Sequence, residues 1–456
     1  MRSFVSKKYL MNKLVTLLCA GAVAMAMTAS CGAPQGAPAA ADPSIAAAVA
    51  QVNIDSVKVY IDELVALHTR HTLSTQTDPE KGLGAAVTYL ADRCERWAQA
   101  ASARPRPLIE KVFYTVGENG GRYDRVTQVP ELMVTLPGTR AEREILLVAH
   151  VDTRVIDVMD STAFAPGADD DGSGVACLLE TVRILSQVPL EQTVKCLFVS
   201  GEEQGLDGSR HFATLAKAEG WPVLAVLSND MIGNVRASGT ELREDHKVRV
   251  FSESRSGEDS DSRQLARYIQ EMAAIYVPEQ EIVLNYRTDR YRRGGDHSSF
   301  LREGFNAVRV CEYCEDYERT HQDVRTEDGV AYGDLPEYMD FPYLIRNIRV
   351  NLAAVMNLAM APARPENVRI ANAMDLDNNT RLTWDPVQGT EGLSYQVLCR
   401  ETDQSQWMPA LPMDLSDTVP ASAEPQFYCP LSKDNYYFAV RVVSAGGHPS
   451  LPAVAR

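Results

Sequence analysis

The stretch ILLVAHVDT at residues 145–153 places a histidine and an aspartate directly after a run of five apolar residues. Such a run predicts a buried strand, and the polar residues follow at its carboxyl end. The pattern recurs in KCLFVSGEE at residues 195–203 and in LAVLSND at residues 224–230, which end in two glutamates and one aspartate. Side chains that could share one site therefore lie at the ends of several predicted strands.

Apolar runs alternate with helical patterns through the middle of the chain. Strands are predicted at residues 111–116, 131–136, 145–149, 194–200, 223–228 and 307–310, and helices at 57–68, 83–101, 174–186, 208–217 and 262–275. This alternation predicts an α/β fold over residues 44–360, with a mostly parallel mixed sheet covered by helices on both faces. Ligands of such sheets gather at the carboxyl ends of the strands. The polar segments 236–261 and 287–293 are predicted to be loops around that pocket.

The last part of the chain has a different sequence pattern, with strand signals and no helical period. A short Pro-rich linker at residues 361–365 is followed by alternating strand patterns around Trp384, Tyr395 and Tyr436. These patterns predict a small all-β sandwich over residues 364–456, which resembles a fibronectin type III module. We expect this domain to act as a spacer or brace more readily than as a binding module.

The first residues predict export. Residues 1–30 combine four basic residues with an apolar run, which is the pattern of a secretory signal peptide. The run ends in TASC at residues 28–31 and resembles a bacterial lipobox, in which Cys31 would become the lipid-anchored first residue. Plain signal cleavage is the alternative. Residues 31–43, rich in Gly, Ala and Pro, are predicted to be a flexible tether. The protein is thus expected in a bacterial cell envelope, touching the membrane only through this anchor.

Charge and cysteine content limit the classes of partner and metal site that the chain can have. The chain has 45 Lys and Arg against 61 Asp and Glu, a net charge of −16. This balance argues against nucleic acid and anionic lipid as partners. CEYC at residues 311–314 could form a loop disulfide after export, but no second pair exists that would complete a zinc ribbon. The sequence carries no signal for an oligomeric state.

Five residues have the chemistry of metal ligands. They are His150, Asp170 in GADDDGSG at 167–174, Glu203, Asp230 and His321. Zinc accepts imidazole nitrogen and carboxylate oxygen, and a catalytic zinc keeps one position for water, whose pKa it lowers toward about 7. Glu202 precedes Glu203, and adjacent side chains on an extended strand point to opposite sides. One glutamate could therefore bind metal while its neighbour faces the substrate.

Over about Leu108 to Asn357 the motifs resemble those of the dizinc aminopeptidases of peptidase clan MH, a group that also holds the glutaminyl cyclases. The resemblance implies two zinc ions per chain. One would be bound by His150 and Asp230, the other by Glu203 and His321, and Asp170 would bridge them.

The same resemblance implies roles for two further carboxylates. Glu202 matches the general base of the family. Asp152 matches the residue that orients the His150 imidazole, fixing the tautomer and the angle of the ring.

Simpler interpretations exist for several of these positions. Asp169, Asp170 and Asp171 could form a solvated turn that caps the following helix. His297 competes with His321 as the last ligand, and the order of elements in the resembling family favours His321. Tyr313, Tyr317 and Arg319 are candidates for polarising the substrate carbonyl, by proximity alone.

The function expected from these motifs is that of a zinc-dependent aminopeptidase acting on peptide substrates. A glutaminyl cyclase, which uses one zinc, is the first alternative on the same fold. A carboxypeptidase is a second, and a surface binding protein without activity is a third. Metal stoichiometry and blocked peptides would separate these possibilities.

Overall fold

The computed structural model describes residues 41–102, 105–118, 120–253, 259–387, 392–409, 418–420 and 425–456. Its centre is an eight-stranded sheet in the order β1-β2-β4-β3-β5-β8-β6-β7. The strands are β1 (Leu108–Val116), β2 (Thr127–Leu136), β3 (Glu144–His150), β4 (Thr193–Val199), β5 (Val223–Asn229), β6 (Lys247–Ser252), β7 (Glu281–Asn285) and β8 (Ala307–Glu312).

The middle of this sheet is parallel and its flanks are mixed. Strands β4, β3, β5 and β8 pair in parallel. The pairs β1–β2, β2–β4 and β6–β8 are antiparallel, whereas β6 and β7 are parallel. The predicted α/β fold with a mostly parallel mixed sheet is therefore confirmed.

Helices cover both faces. They are α1 (Pro43–Val49), α2 (Ile54–Val65), α3 (Gly82–Ala100), α4 (Gly172–Leu185), α5 (Glu202–Gly205), α6 (Asp207–Glu219), α7 (Asp261–Tyr276), α8 (His297–Arg302) and α9 (Phe341–Met360). Alternate residues of β3 reach opposite faces, because side chains of a strand point alternately up and down. Ile145 and Leu147 join the larger core, and Leu146 and Val148 join a second core with Phe212 of α6. The apolar run of β3 is thus explained by burial on two sides.

One predicted loop is wrong in part. Segment 236–261 contains β6, in which Val248 and Val250 are buried while Lys247 and Arg249 are half-buried. The alternating pattern of a strand is present, but the many charged residues around it favoured a loop. The strand pairs with β8 in antiparallel orientation. None of the described residues of this segment lines the cavity at the sheet edge. Strand β7 was also not predicted.

The C-terminal part forms two small antiparallel sheets, as the all-β prediction required. The first contains β11 (Glu366–Ile370), β12 (Thr380–Asp385) and β16 (Gln426–Cys429); the second contains β13 (Ser394–Glu401), β14 (Met408–Pro409), β15 (Thr418–Pro420), β17 (Tyr436–Val443) and β18 (Ala453–Val454). Trp384 and Tyr395 pack edge to face in the core between them, with ring centres 5.2 Å apart. The fibronectin type III resemblance and the domain limits stay predictions.

A short hairpin, β9 (Arg325–Glu327) and β10 (Val330–Tyr332), follows the main sheet and leads into a 3-10 turn at Pro336–Tyr338. The predicted signal peptide, Cys31 and most of the tether lie outside the described residues. Within the described ranges, no helix combines the length and apolar character that crossing a membrane requires. Cys311 and Cys314 are both free thiols, so the disulfide that the sequence allows is not formed.

Candidate metal centre

The five predicted ligands converge at the carboxyl edge of the sheet. The Nε2 atom of His150 lies 3.1 Å from Oδ1 of Asp170, and Nε2 of His321 lies 2.9 Å from the other oxygen, Oδ2. The same His321 nitrogen lies 2.9 Å from Oε1 of Glu203. Asp170 therefore stands between the two histidines, one on each carboxylate oxygen.

The donor atoms form two groups that share a member. Those of His150, Asp170 and Asp230 lie within 4.8 Å of one another, and so do those of Asp170, Glu203 and His321. Two cations could thus be held side by side, with Asp170 between them. This is the division that the sequence resemblance implies.

Parallel strands explain why residues so far apart in the chain meet. His150 is the last residue of β3, and Asp230 follows the neighbouring β5. Glu203 comes after β4 on the other side of β3. His321 lies in the loop after β8, where its φ is 58°. Because these strands run the same way, their ends meet at one edge.

The acidic turn 167–174 is held by hydrogen bonds to other parts of the chain. The Asp171 side chain accepts from the backbone N–H of Gly174 at 2.9 Å, capping α4, and from that of His150 at 3.1 Å. The carboxylate of Asp334 accepts from the backbone N–H groups of Asp169 and Asp170 at 2.9 and 2.8 Å. The cap predicted within this turn is therefore Asp171, which leaves the Asp170 side chain free to face the histidines.

The electrostatics of the cluster favour positive charge. Burial raises the pKa of Asp170, but the imidazoles of His321 and His150 outweigh burial and hold that pKa well below its usual value. Burial lowers the pKa of His321, yet the carboxylates of Glu203 and Asp170 raise it to about 10. Opposite charges at this distance stabilise the charged form of each partner. A cation placed among these carboxylates would experience the same attraction.

The donor set fits zinc. Glu203 Oε1 is buried, and although Nε2 of His321 lies 2.9 Å away, the oxygen accepts no well-aligned hydrogen bond from a described residue. A buried carboxylate oxygen that lacks such a bond is costly unless a cation completes it. Each group offers one imidazole nitrogen and two carboxylate oxygens, the mixture that suits catalytic zinc.

Glu202 lines the same cavity as four of the predicted ligands, Asp170, Glu203, Asp230 and His321. Its local structure differs from the prediction, because residues 202–205 form the one-turn helix α5 and not an extended loop. The cause lies 50 residues earlier, where the Asp152 carboxylate accepts from the backbone N–H groups of Glu202 at 3.2 Å and Glu203 at 3.1 Å. Burial raises the pKa of Glu202 well above its usual value, and the nearby Glu203 and Asp230 carboxylates raise it further.

Asp152 also approaches the first ligand. The Nδ1 atom of His150 lies 3.0 Å from the backbone oxygen of Asp152 and 3.7 Å from its carboxylate. The backbone oxygen is thus the nearer partner of the ring. The orienting role of the Asp152 carboxylate therefore stays a prediction. In the structure this carboxylate accepts hydrogen bonds from the backbone of α5.

Arg309 is a supporting residue that the sequence did not indicate as such. Its side chain is fully buried in β8, and Nη2 lies 3.0 Å from Oδ1 of Asp230. Its Nη1 lies 3.3 Å from Oδ2 of Asp289, at the start of the loop over the cavity. The signal was available, because a lone arginine inside the apolar run AVRV at 307–310 needs a buried anion.

Arg154 is a second residue of this kind. Its Nε donates to Oε2 of Glu203 at 3.0 Å, and its Nη2 lies 2.6 Å from Nδ1 of His321. It follows His150 and Asp152 at every second position in the sequence, which is the only hint that it faces the same site.

The competing candidates lie elsewhere. The Nε2 atom of His297 lies 2.7 Å from the backbone oxygen of Thr288, and His297 belongs to neither donor group. Of the three residues suggested near the substrate carbonyl, Tyr317 lines the cavity. Arg319 instead stacks over the ring of Tyr338, 3.7 Å from its centre.

The cavity above the cluster has a volume of about 430 Å³. Besides the acidic floor, its wall includes arginines from three different segments, together with Leu206 and Met231. The predicted loop 287–293 does contribute to this wall, through Arg290 and Arg293. A space of this size suits a small ligand or the end of a peptide.

Comparison with known proteins identifies the family. The model of peptidase family M28 matches residues 131–336. A probable zinc metalloprotease from Leptosphaeria maculans is 36% identical over 432 residues, covering 91% of this chain and 97% of that protein. The chain belongs to peptidase family M28. The matched M28 region contains His150, Asp170, Glu202, Glu203, Asp230 and His321.

A second fungal relative, a probable zinc metalloprotease from Pyricularia oryzae, is 37% identical over 432 residues, 90% of this chain and 84% of that protein. Residues 1–360 alone could not supply such coverage, so the M28 relatives share at least part of the C-terminal domain. Their fungal origin gives no support to the predicted bacterial lipoprotein.

Two solved structures from Legionella pneumophila share the fold. LapA aminopeptidase has a TM-score of 0.54 at 20% identity, over 70% of this chain and 75% of LapA. LapB has a TM-score of 0.53 at 19% identity, over 78% of this chain and 81% of LapB. At such identities the likeness establishes the zinc-exopeptidase architecture of this M28 chain.

Proposed function

We propose that this protein is a zinc-dependent aminopeptidase that holds two zinc ions and removes residues from the amino ends of peptides. The observation that carries the proposal is the pair of donor groups sharing Asp170, with Glu202 in the same cavity. The names of the fungal relatives support zinc-dependent proteolysis, and the fold shared with LapA aminopeptidase is compatible with the aminopeptidase class.

In this proposal His150 and Asp230 would hold one zinc ion, Glu203 and His321 would hold the second, and Asp170 would be shared. When bound, zinc supplies Lewis acidity, which polarises a carbonyl group and lowers the pKa of water. Glu202 accepts the proton of the attacking water and returns it to the leaving amine. Asp152 accepts hydrogen bonds from the backbone of the α5 turn. It thereby orients Glu202 as the proton acceptor and Glu203 as the zinc ligand.

The size of the cavity is compatible with cleavage at a peptide end. A volume of about 430 Å³ lies at the small end of the range for ligand pockets. The floor carries the acidic side chains of Glu202 and Asp230. A free α-amino group is largely protonated near neutral pH and would be attracted to them.

The test is a comparison of Glu202→Gln with the wild type. We expect turnover of an unblocked peptide amide to fall by about 10³-fold or more, because the proton acceptor is lost, while zinc content stays at two per chain. Zinc is measured by plasma emission spectrometry. Glu241→Gln, an exposed site outside the cavity, is the matched control. Loss of zinc together with activity would make Glu202 a ligand and overturn its assigned role.

Blocked substrates decide the direction of attack. The proposal requires that amino-terminal acetylation stop cleavage and that carboxyl-terminal amidation be tolerated. The opposite pattern would indicate a carboxypeptidase. One zinc per chain with cyclisation of amino-terminal glutamine would indicate a glutaminyl cyclase, and zinc binding without any turnover would indicate a silent binding protein.

We also propose that the protein is exported and anchored by a lipid on Cys31. The basic and apolar pattern of residues 1–30 and the small residues before Cys31 support this. Expressed in a bacterium, the wild type should partition with membranes, and Cys31→Ser should be released as soluble material. Equal partitioning of both would contradict the anchor.

A further inference from the structure

Arginines are concentrated at the cavity in a chain that is acidic overall. The net charge of the chain is −16, yet Arg122, Arg154, Arg290 and Arg293 all line this one space. They come from three separate segments, so the fold and not a basic stretch of sequence brings them together. Their number suggests a ligand that is negatively charged.

Three of these four arginines already pair with carboxylates. Arg154 is committed to Glu203 and His321, as described above. Arg290 Nη1 and Arg293 Nη1 share one oxygen, Oε2 of Glu315, at 3.1 and 2.9 Å.

The carboxylates that pair with Arg290 and Arg293 also pair with other arginines. The second oxygen of Glu315 is taken by Arg249 at 2.7 Å. Arg290 also lies 3.2 Å from Asp289, but Asp289 is paired with the buried Arg309 as well. Guanidinium groups therefore outnumber the carboxylates available to them on this wall.

Arg122 reaches the cavity from the opposite side of the sheet edge. Its Nη1 donates to the backbone oxygen of Glu203 at 2.8 Å, and no described residue gives it an ion pair. Arg293 is oriented but accessible, with 41% of its side chain exposed and Nη2 donating to the Tyr317 hydroxyl at 3.0 Å. Arg122 has no carboxylate partner in the described ranges to give up, and the buried Glu315 keeps Arg249 and Arg290 if Arg293 turns toward a new acceptor.

We propose that this wall makes the enzyme selective for peptides with a carboxylate next to the cleaved bond, and that Arg122 and Arg293 determine that selectivity. The inference rests on the proposed function, because bound zinc would neutralise the acidic side chains of the floor. The arginines of the wall would then give the pocket a net positive charge. Charge-assisted hydrogen bonds from arginine to carboxylate are among the stronger polar contacts. Two sources offer that group: an acidic side chain and the free carboxyl end of a short peptide.

Matched substrate pairs distinguish the sources. Glu and Gln p-nitroanilides test the residue before the cleaved bond, and Ala-Glu-amide against Ala-Gln-amide tests the residue after it. Ala-Ala against Ala-Ala-amide tests the free carboxyl end. In at least one pair we expect kcat/KM to favour the charged member by about tenfold or more, as for a partly desolvated ion pair.

Two variants test the assigned residues. In Arg293→Gln and in Arg122→Gln, the ratio of kcat/KM within the preferred pair should fall by about fivefold or more, because one partner of the carboxylate is lost. The matched control is Arg292→Gln, which removes the same charge from the same loop. The Arg292 side chain lies over the exposed ring of Tyr291, 5.4 Å from its centre, and outside the cavity. The control should leave every ratio unchanged.

A binding measurement separates failure of this inference from failure of the proposed function. Thermal shifts of the zinc-loaded protein with L-glutamate against L-glutamine, and with L-alanine against L-alaninamide, need no turnover. A larger shift with the charged member supports the inference even in a protein that cleaves nothing. Equal shifts within both pairs, together with cleavage of all three substrate pairs at equal rates, would overturn it and leave the peptidase proposal standing. Equal shifts in a protein that cleaves nothing would overturn both proposals.

Discussion

Arg309 carries its charge in the middle of the sheet, where its side chain is fully buried. It contacts a predicted zinc ligand, Asp230, on one side and Asp289 on the other. Removal of such a cation leaves the buried Asp230 carboxylate without its ion pair, while Asp289 keeps Arg290. Breaking a buried pair in this way costs far more than the pair itself contributes. The position of Asp230 therefore depends on a residue that touches neither metal nor substrate.

Replacement of Arg309 by Met should lower the free energy of unfolding by about 3–5 kcal/mol and weaken zinc binding. Urea denaturation followed by circular dichroism measures the first effect, and competition with a zinc-sensitive dye measures the second. Arg302→Met, exposed at the end of α8, serves as the control. Wild-type stability in Arg309→Met would refute the supporting role.

At the scale of single residues, the sequence was informative about acids and histidines. His150, Glu203 and Asp230 could be found because each follows an apolar run that ends at the same edge. Arg309 and Arg154 could not be assigned, since their partners are 79 and 49 residues away and only the strand order brings them near.

The acidic turn before α4 shows how elements hold the site. Asp334 lies beyond the β9–β10 hairpin, yet its carboxylate fixes the backbone of Asp169 and Asp170. A segment distant in sequence therefore fixes the orientation of Asp170, the predicted ligand in this turn.

Asp334→Asn should reduce zinc affinity by about 10–100-fold, the usual effect of removing a group that orients a ligand. The helices should be retained, because the change adds no volume. Isothermal titration of the metal-free protein with zinc gives the affinity, and Asp328→Asn in the exposed hairpin turn is the control. Equal affinities of both variants would show that the turn is rigid without Asp334.

Element types were predictable where the pattern was local and strong. Helix α4 follows from its apolar period and its cap, whereas α5 was mistaken for an extended loop. Its first N–H groups are satisfied by Asp152 from another strand end, and nothing in the local sequence shows this. Strand β6 was missed for a similar reason, because its partner β8 lies about 60 residues later.

On the scale of the whole molecule, the C-terminal domain is docked on α7. Arg441 makes two hydrogen bonds to Glu271, at 2.7 and 2.9 Å. The hydroxyl of Tyr268 donates to the backbone oxygen of Pro449, and Trp407 donates to Gln264. These contacts favour the brace interpretation of this domain over that of a freely moving spacer.

Arg441→Gln should lower the free energy of unfolding by about 1–3 kcal/mol, because a largely buried bidentate ion pair is lost. Differential scanning calorimetry should then show the single transition of the wild type broadening or splitting in two. Arg381→Gln, exposed on β12, should melt like the wild type. Separate transitions already present in the wild type would contradict the brace.

The link from Asp230 through Arg309 to Asp289 has a practical consequence for protein engineering. The loop at residues 287–293 is the natural segment to exchange when a different selectivity is wanted. A graft that discards its aspartate would also disturb Asp230, a predicted metal ligand, on the opposite side of the arginine. Libraries that keep Asp289 constant and randomise the positions after it should therefore yield far more metal-loaded clones than libraries that vary the entire loop.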